Sequence, residues 1–166
     1  MHPVIARATV GDADWITAIW NGIIADTLIT FTTTPKSPDD VLAMIDTRPV
    51  FVLPDQAGFA TYGPFRAGPG YAATVEHTIY LTPATRGHGL GPALMAYIMD
   101  HAASAGHRVM VAGISGANPG AVRFHARLGF GQVGHMAQVG RKAGRWLDLI
   151  LMQKLLNPPD TANGAG

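Results

Sequence analysis

Apolar positions along this chain repeat with two different periods, and the change from one period to the other marks the elements. Val4 to Val10 alternates as a short strand. Asp12 then offers an N-cap, and Trp15, Ile16, Ile19, Trp20, Ile23 and Ile24 recur at helical spacing. Ser37-Pro38-Asp39-Asp40 predicts a second helix start, with Ser as cap, Pro at the first helical position and an acid at the third. Met44-Ile45 is its apolar end. Val50 to Leu53 and Gly58 to Tyr62 read as a strand pair turning at Pro54-Asp55. Pro64 to Gly70 is a loop, and Ala73 to Leu81 is the longest strand candidate. A glycine-rich loop follows, then a helix from about Pro92 to Ala105, stopped by Gly106. Val109 to Ile114 is another strand. Asn118-Pro119 caps a further helix that ends at Leu128-Gly129. Strands near Phe130 to Val139 and Trp146 to Leu151 complete the pattern.

The order is strand, two helices, several strands, helix, strand, helix, two strands. Strict alternation would give a parallel doubly wound sheet. This order predicts an α/β (α+β) fold instead: a mixed, mostly antiparallel twisted sheet with helices on both faces. Residues 1–156 read as one domain, and the Pro-, Gly- and Asn-rich stretch 157–166 as a flexible tail.

Composition narrows the function. Apolar residues make up 48% of the chain, enough for a packed core. The formal net charge is +1 and no Lys/Arg run is present, which argues against a nucleic-acid surface. Absence of cysteine removes thiolate metal sites and a Cys nucleophile. No secretory h-region and no apolar run of the ~18 residues a membrane span needs is found. The expectation is a cytoplasmic protein without membrane partners.

Gly87, Gly89 and Gly91 lie between a strand and a helix. Such a loop turns backbone N–H groups toward an anion at a helix N-terminus. A Walker A loop would need Lys-Ser/Thr after its last glycine, and Pro92 stands there instead. A dinucleotide fingerprint would need a further glycine at that position and an acid on the next strand, and residues 109–114 offer none. A plain turn remains the alternative.

Arg86-x-x-Gly89-x-Gly91, after a long strand and before an amphipathic helix, resembles the acetyl-CoA signature of GNAT acetyltransferases. The later run Asn118-Pro119-Gly120-Ala121-Val122-Arg123-Phe124-His125-Ala126-Arg127-Leu128-Gly129-Phe130 resembles the second signature of that family. Tyr62-Gly63-Pro64-Phe65-Arg66, Val75-Glu76-His77-Thr78-Ile79-Tyr80-Leu81 and Gly144-Arg145-Trp146-Leu147-Asp148 are similar to the phosphinothricin and methionine sulfone/sulfoximine branch. The resemblance implies a GNAT fold, acetyl-CoA as cofactor, a small amine as substrate and a homodimer. It places Arg86, Gly87, His88, Gly89, Leu90 and Gly91 at the pyrophosphate. It places backbone groups of Ile79, Tyr80 and Leu81 at pantetheine, where neighbouring strands splay, and Asn118, Ala121 and Phe124 along the cofactor.

Direct transfer needs a sink for the amine proton and donors for an oxyanion. Glu76 is the candidate base, because a carboxylate in an apolar strand is costly unless used or paired. The alternative is an ion pair with Arg or Lys from another element. His77 must point to the opposite sheet face. Deprotonating an α-amine of pKa about 7.8 at pH 7 costs about 1 kcal/mol, against about 4.6 for a lysine amine, which favours an amino-acid-like substrate. His125 occupies the place of the general acid on the second helix, with a cofactor contact or a backbone bond as the other reading. Arg66 and Tyr71 are candidates for a substrate carboxylate or sulfoxide-like oxygen, with a solvated loop arginine as the alternative. Phe31 is a candidate pocket wall or core residue. Lys142 and Trp146 are branch markers near the pocket, Trp146 equally a packing residue. His101 shares a helix face with Leu94, Tyr97 and Ile98 and is expected to be packed. His2, His107 and His135 lack ligand spacing, so no metal is expected. Within enzymes the other reading is a peptide N-terminus or polyamine acetyltransferase, and outside them a non-catalytic acetyl-CoA sensor.

Overall fold

The computed structural model of the chain describes residues 3–85 and 87–157. The elements in chain order are β1 (Ala6–Arg7), α1 (Ala13–Asp26), α2 (Pro38–Thr47), β2 (Val50–Val52), β3 (Gly58–Pro64), β4 (Thr74–Leu81), α3 (Leu90–Ser104), β5 (Val109–Ser115), α4 (Pro119–Arg127), β6 (Gly131–Lys142) and β7 (Arg145–Leu155). Seven strands form one sheet in the order β1-β2-β3-β4-β5-β7-β6. Only β4 and β5 run parallel; the other neighbours are antiparallel. No helix among the described residues is long and apolar enough to cross a membrane.

Strand alternation divides the core in two. One layer joins Phe51, Tyr62, Val75, Met110, Ala112 and Ile114 of the sheet to Leu94, Met95 and Ile98 of α3, with Ala121, Val122 and Phe124 of α4 packed against it. The other joins Val50, Val52 and Phe59 to Ile16 of α1 and to Val41 and Met44 of α2. Helices therefore cover both faces, as the element order predicts.

The start of α2 is the capping box read from the sequence. The Ser37 hydroxyl accepts from the Asp40 amide at 3.1 Å, and the Ser37 amide donates to Asp40 Oδ2 at 2.8 Å. Asp12 behaves differently from its expected part. It precedes α1, but its side chain does not cap that helix. Its oxygens accept from the Thr9 amide at 2.8 Å and the Trp15 indole at 2.9 Å. That tight turn limits the first strand to two residues. The final hairpin is longer than the strands expected near Phe130 to Val139 and Trp146 to Leu151. An irregularity between Met136 and Gly140 is held by Asp148, whose Oδ1 accepts from the Gln138 amide at 2.9 Å. His101 is indeed packed: its Nδ1 lies 2.7 Å from the Tyr62 hydroxyl, and its ring meets Phe51 edge-on.

Ile98 of α3 is fully buried between the sheet and its own helix neighbours. Truncating it leaves a cavity as well as lost apolar burial. Ile98→Ala is expected to lower unfolding free energy by about 2–5 kcal/mol in urea titration, with an unchanged far-ultraviolet spectrum.

Candidate active site

The parallel pair comes apart part-way along. Thr74, Val75 and Glu76 pair with Val109, Met110 and Val111, and there the β4–β5 ladder stops. β4 stays on β3 as far as Leu81, while β5 stays on β7 along its whole length. The two strands therefore form a fork with Glu76 at its vertex. Ile79, Tyr80 and Leu81 lie on the open arm, where backbone groups facing β5 have no ladder partner and suit a ligand with amide groups of its own.

Glu76 projects on the face covered by α1 and α2, where two of its neighbours, one on each adjacent strand, have no side chains. Gly63 is its partner on β3. On β5, a Cβ built at Gly113 would lie 2.9 Å from Glu76 Oε1, so glycine makes room for the carboxylate. The carboxylate opens to solvent, yet the cleft walls withdraw enough water that burial raises its pKa above the ordinary glutamate value. Glu76 makes no ion pair among the described residues, so the paired-carboxylate alternative does not describe it.

The loop after α1 packs on the last hairpin. Phe31 packs over Gly140, where a side chain would collide with its ring. Lys142 is buried, and its ammonium donates to the Thr30 carbonyl at 2.9 Å, tying this loop to the β6–β7 hairpin. Tyr80, facing the same layer, packs on Trp20 and Phe59. Beyond the end of β3, Arg66 lies 5.3 Å over the Phe65 ring, and Phe65 meets Tyr71 edge-on. Arg66 and Tyr71 are both exposed. Trp146 is exposed too and stacks under Arg141 rather than in the core.

The opposite face of β4 carries a feature the sequence reading did not anticipate. His77 is buried and its Nε2 lies 3.0 Å from Nε2 of His125 on α4, the rings stacked at 5.0 Å. Nδ1 of His125 is 2.7 Å from the Ala121 carbonyl and must donate to it. His125 Nε2 then accepts, and His77 Nε2 donates. His77 Nδ1 is left as a bare lone pair without a partner among the described residues. Burial and the neighbouring His125 push the His77 pKa down to about 3, and burial also lowers that of His125, so both rings are neutral. Alternation placed Glu76 and His77 on opposite faces; the available signal for the pair was His77 standing between apolar Val75 and Ile79.

At the start of α3, Gly87 and Gly89 have φ of 82° and 71°, a region in which other residues are strained. No side chain caps this end, and Gly89 is the N-cap. Gly91 serves packing: a Cβ there would meet Leu81 at 2.9 Å and Phe124 at 3.3 Å. Glycine thus lets α3, α4 and the fork's open arm approach closely. His88 is exposed, Leu90 packs at the core edge, and Arg86 lies outside the described residues. At α4, Asn118 Oδ1 accepts from the Ala121 amide at 3.2 Å.

The Acetyltransferase (GNAT) family pattern matches residues 22–130. This chain belongs to the GNAT acetyltransferase family. Like other GNAT members it is an N-acetyltransferase that uses acetyl-CoA. It is 39% identical over 171 residues to the L-methionine sulfoximine/L-methionine sulfone acetyltransferase of Pseudomonas aeruginosa, covering 98% of this chain and 99% of that one. It is 35% identical to a phosphinothricin N-acetyltransferase of Streptomyces coelicolor, covering 85% and 89%. A Salmonella typhimurium acetyltransferase solved with acetyl-CoA superposes with a TM-score of 0.89 at 35% identity, covering 99% of this GNAT chain and all of that one, 100%.

The histidine pair makes the stability of this protein pH-dependent. A folded pKa below the unfolded value of about 6.5 means that only the unfolded chain takes up protons between that value and about 3. The contribution is complete above pH 6.5 and lost as pH falls toward 3. Urea midpoints of wild type should therefore drop across that window more than those of His77→Leu, whose curve lacks this component. Parallel curves would contradict the assignment.

Proposed function

We propose that this enzyme acetylates the primary amine of a small amino acid or amino acid analogue, of the methionine sulfone, methionine sulfoximine or phosphinothricin type. The observation that carries the reading is Glu76: an unpaired carboxylate with a raised pKa at the point where β4 and β5 part. Its modest basicity matches an α-amine, whose proton costs far less to remove at neutral pH than that of a lysine amine.

The residues present fit acetyl-CoA. An uncapped helix start with left-handed Gly87 and Gly89 suits a diphosphate, and the open arm of the fork suits the amide groups of pantetheine. Gly87 to Gly91 would hold the first, and Ile79, Tyr80 and Leu81 the second. Asn118, Ala121 and Phe124 would line the α4 side, and Arg86 is assigned to the diphosphate on its place in the signature. Acetyl-CoA supplies an acyl group on a thioester, which a neutral amine attacks directly: the C–N bond forms, the C–S bond breaks, and the CoA thiolate leaves and takes a proton from solvent.

Glu76 takes the proton of the incoming amine, directly or through one water, when its carboxyl is ionised. Backbone N–H groups of the open arm are the candidate oxyanion donors. His125 is bound at both nitrogens inside the protein, so we assign it to holding α4 against β4 beside the reacting sulfur. Phe31 and Lys142 shape the wall around the amine, and Arg66 and Tyr71 flank the entrance. We further propose a homodimer built on the sheet edge at β6, where Val133, Met136 and Val139 are exposed. Use of acetyl-CoA, the small net charge and the absence of a cationic run support a cytoplasmic enzyme that binds neither nucleic acid nor membrane.

A thiol-release assay with acetyl-CoA and a panel of amines tests this. Turnover with methionine sulfone, methionine sulfoximine or phosphinothricin is expected, and turnover confined to peptides or polyamines would contradict it. Binding of acetyl-CoA without turnover of any amine would mark a sensor.

Glu76→Gln separates activity from stability. kcat is expected to fall by about 10²–10⁴-fold. The melting temperature should rise slightly at neutral pH, because a carboxylate whose pKa is raised by burial destabilises the folded state once ionised. In wild type, kcat/KM should fall on the acid side with a midpoint above the usual glutamate value of 4.5.

A further inference from the structure

The carboxylate of an amino-acid substrate needs a cation near the amine, and the cations suggested by the sequence are committed elsewhere or stand apart. Lys142 donates to Thr30, and Arg66 lies on Phe65 past the end of β3. Arg48 fits the requirement. It closes α2, and its backbone is fixed from both sides: its amide donates to the Met44 carbonyl at 2.9 Å, and its carbonyl accepts from Arg7 Nη2 at 2.8 Å. Its guanidinium lies flat over Gly63. A Cβ on that glycine would be 3.0 Å from Cζ, 3.0 Å from Nη1 and 3.1 Å from Nε, three nearly equal distances that only a face-on group gives.

Gly63 is the register partner of Glu76 on β3, and direct antiparallel partners project to the same sheet face. The Arg48 guanidinium, reaching in from the end of α2, thus lies over the strand next to Glu76 and on the same face of the fork as the carboxylate. They nevertheless form no ion pair, and Arg48 has no acidic partner among the described residues. Asp40, which shares a cleft of about 340 Å³ with Arg48, Trp20, Lys36, Met44 and Thr47, has an oxygen engaged by the Ser37 amide. A side chain at position 63 would push the guanidinium back by a few tenths of an ångström, so the bare backbone lets it lie this close.

An α-amino acid carries its ammonium and its carboxylate on the same carbon. With the nitrogen at Glu76, the carboxylate falls on the side of Gly63 and Arg48 or on the side of Gly113, and on the first side a guanidinium is already in place. We infer that Arg48 is the carboxylate anchor of the substrate pocket and the residue that selects amino acids over simple amines. This rests on the amino-acid reading of the site. The planar fork of Arg48 suits two parallel hydrogen bonds to a carboxylate.

The test is steady-state acetylation of methionine sulfone and of its carboxamide, which keeps the amine and removes the charge. Wild type, Arg48→Ala, Arg48→Lys and Arg66→Ala are compared, with melting temperatures as a folding control. Arg48→Ala is expected to raise KM for the acid by about 10- to 100-fold, the worth of a charge-assisted hydrogen-bond pair, with kcat nearly unchanged. Its KM for the carboxamide should stay at the wild-type value, so the preference for the acid disappears. Arg48→Lys should restore part of it. The assignment is overturned if Arg48→Ala keeps the acid preference, or if Arg66→Ala abolishes it instead. Wild type acting equally on acid and carboxamide would remove the anchor and leave the amino-acid substrate standing. Wild type acting on no amino acid would remove both.

Discussion

The parting of β4 from β5 is the constraint on which the other features depend. Two parallel strands pair through Glu76 and Val111 and then separate while each remains paired on its outer side. Alternate residues along each separated edge leave polar backbone groups facing the gap, and such groups are costly in an apolar interior. The gap persists because other contacts hold its sides. Gly91 allows α3 to close on Leu81 and Phe124, and the His77–His125 bond fixes β4 to α4 just beyond the vertex. Unpaired backbone in the gap is then available to a ligand rich in amides, and the last paired residue is placed beside that ligand.

The same strand keeps two opposed electrostatic regimes one residue apart. Glu76 faces a cleft with enough water to remain ionisable, although burial raises its pKa. His77 faces the core, where burial holds it neutral. Period-two alternation is what permits this: the sheet itself insulates a reacting carboxylate from a structural imidazole. The histidines also show how a polar pair can be tolerated in a core. Two neutral rings satisfy three of their four nitrogens through one mutual bond and one helix carbonyl, leaving a single unpaired atom, a smaller cost than a buried charge.

Much of the fold was legible because local rules act over a few residues. The capping box at Ser37, the cap at Asn118 and the stop at Gly129 follow from side-chain hydrogen bonding and left-handed backbone. Glu76 stood out as a lone carboxylate in an apolar strand. Less legible was whatever depended on register between distant strands. Nothing local says that Gly63 lies opposite Glu76, that Gly113 leaves room for its oxygen, or that Phe31 rests on Gly140. Asp12 shows the same limit at short range: an acid before a helix can spend its oxygens backward on Thr9 and forward on Trp15 instead of capping. His125 was legible in part: a backbone bond was one of the readings open to it, yet its other partner, His77, came from a strand distant in sequence.

The three glycines around the site do one kind of work. At positions 63, 113 and 140 a missing side chain is filled by a group from elsewhere: the Arg48 guanidinium, the Glu76 carboxylate and the Phe31 ring. Glycine in a strand weakens it through lost packing and added unfolded-state entropy. That cost is offset only if the intruding group gains a position no rotamer of its own element would secure. A long arginine or glutamate on an open surface samples many rotamers and loses up to about 2 kcal/mol of that freedom on being fixed. Resting it on bare backbone removes much of the freedom before a ligand arrives. A cation and an anion on one sheet face that do not pair with each other are then preorganised for a molecule that carries both charges itself. A zwitterionic amino acid satisfies that description, whereas a simple amine satisfies only half of it.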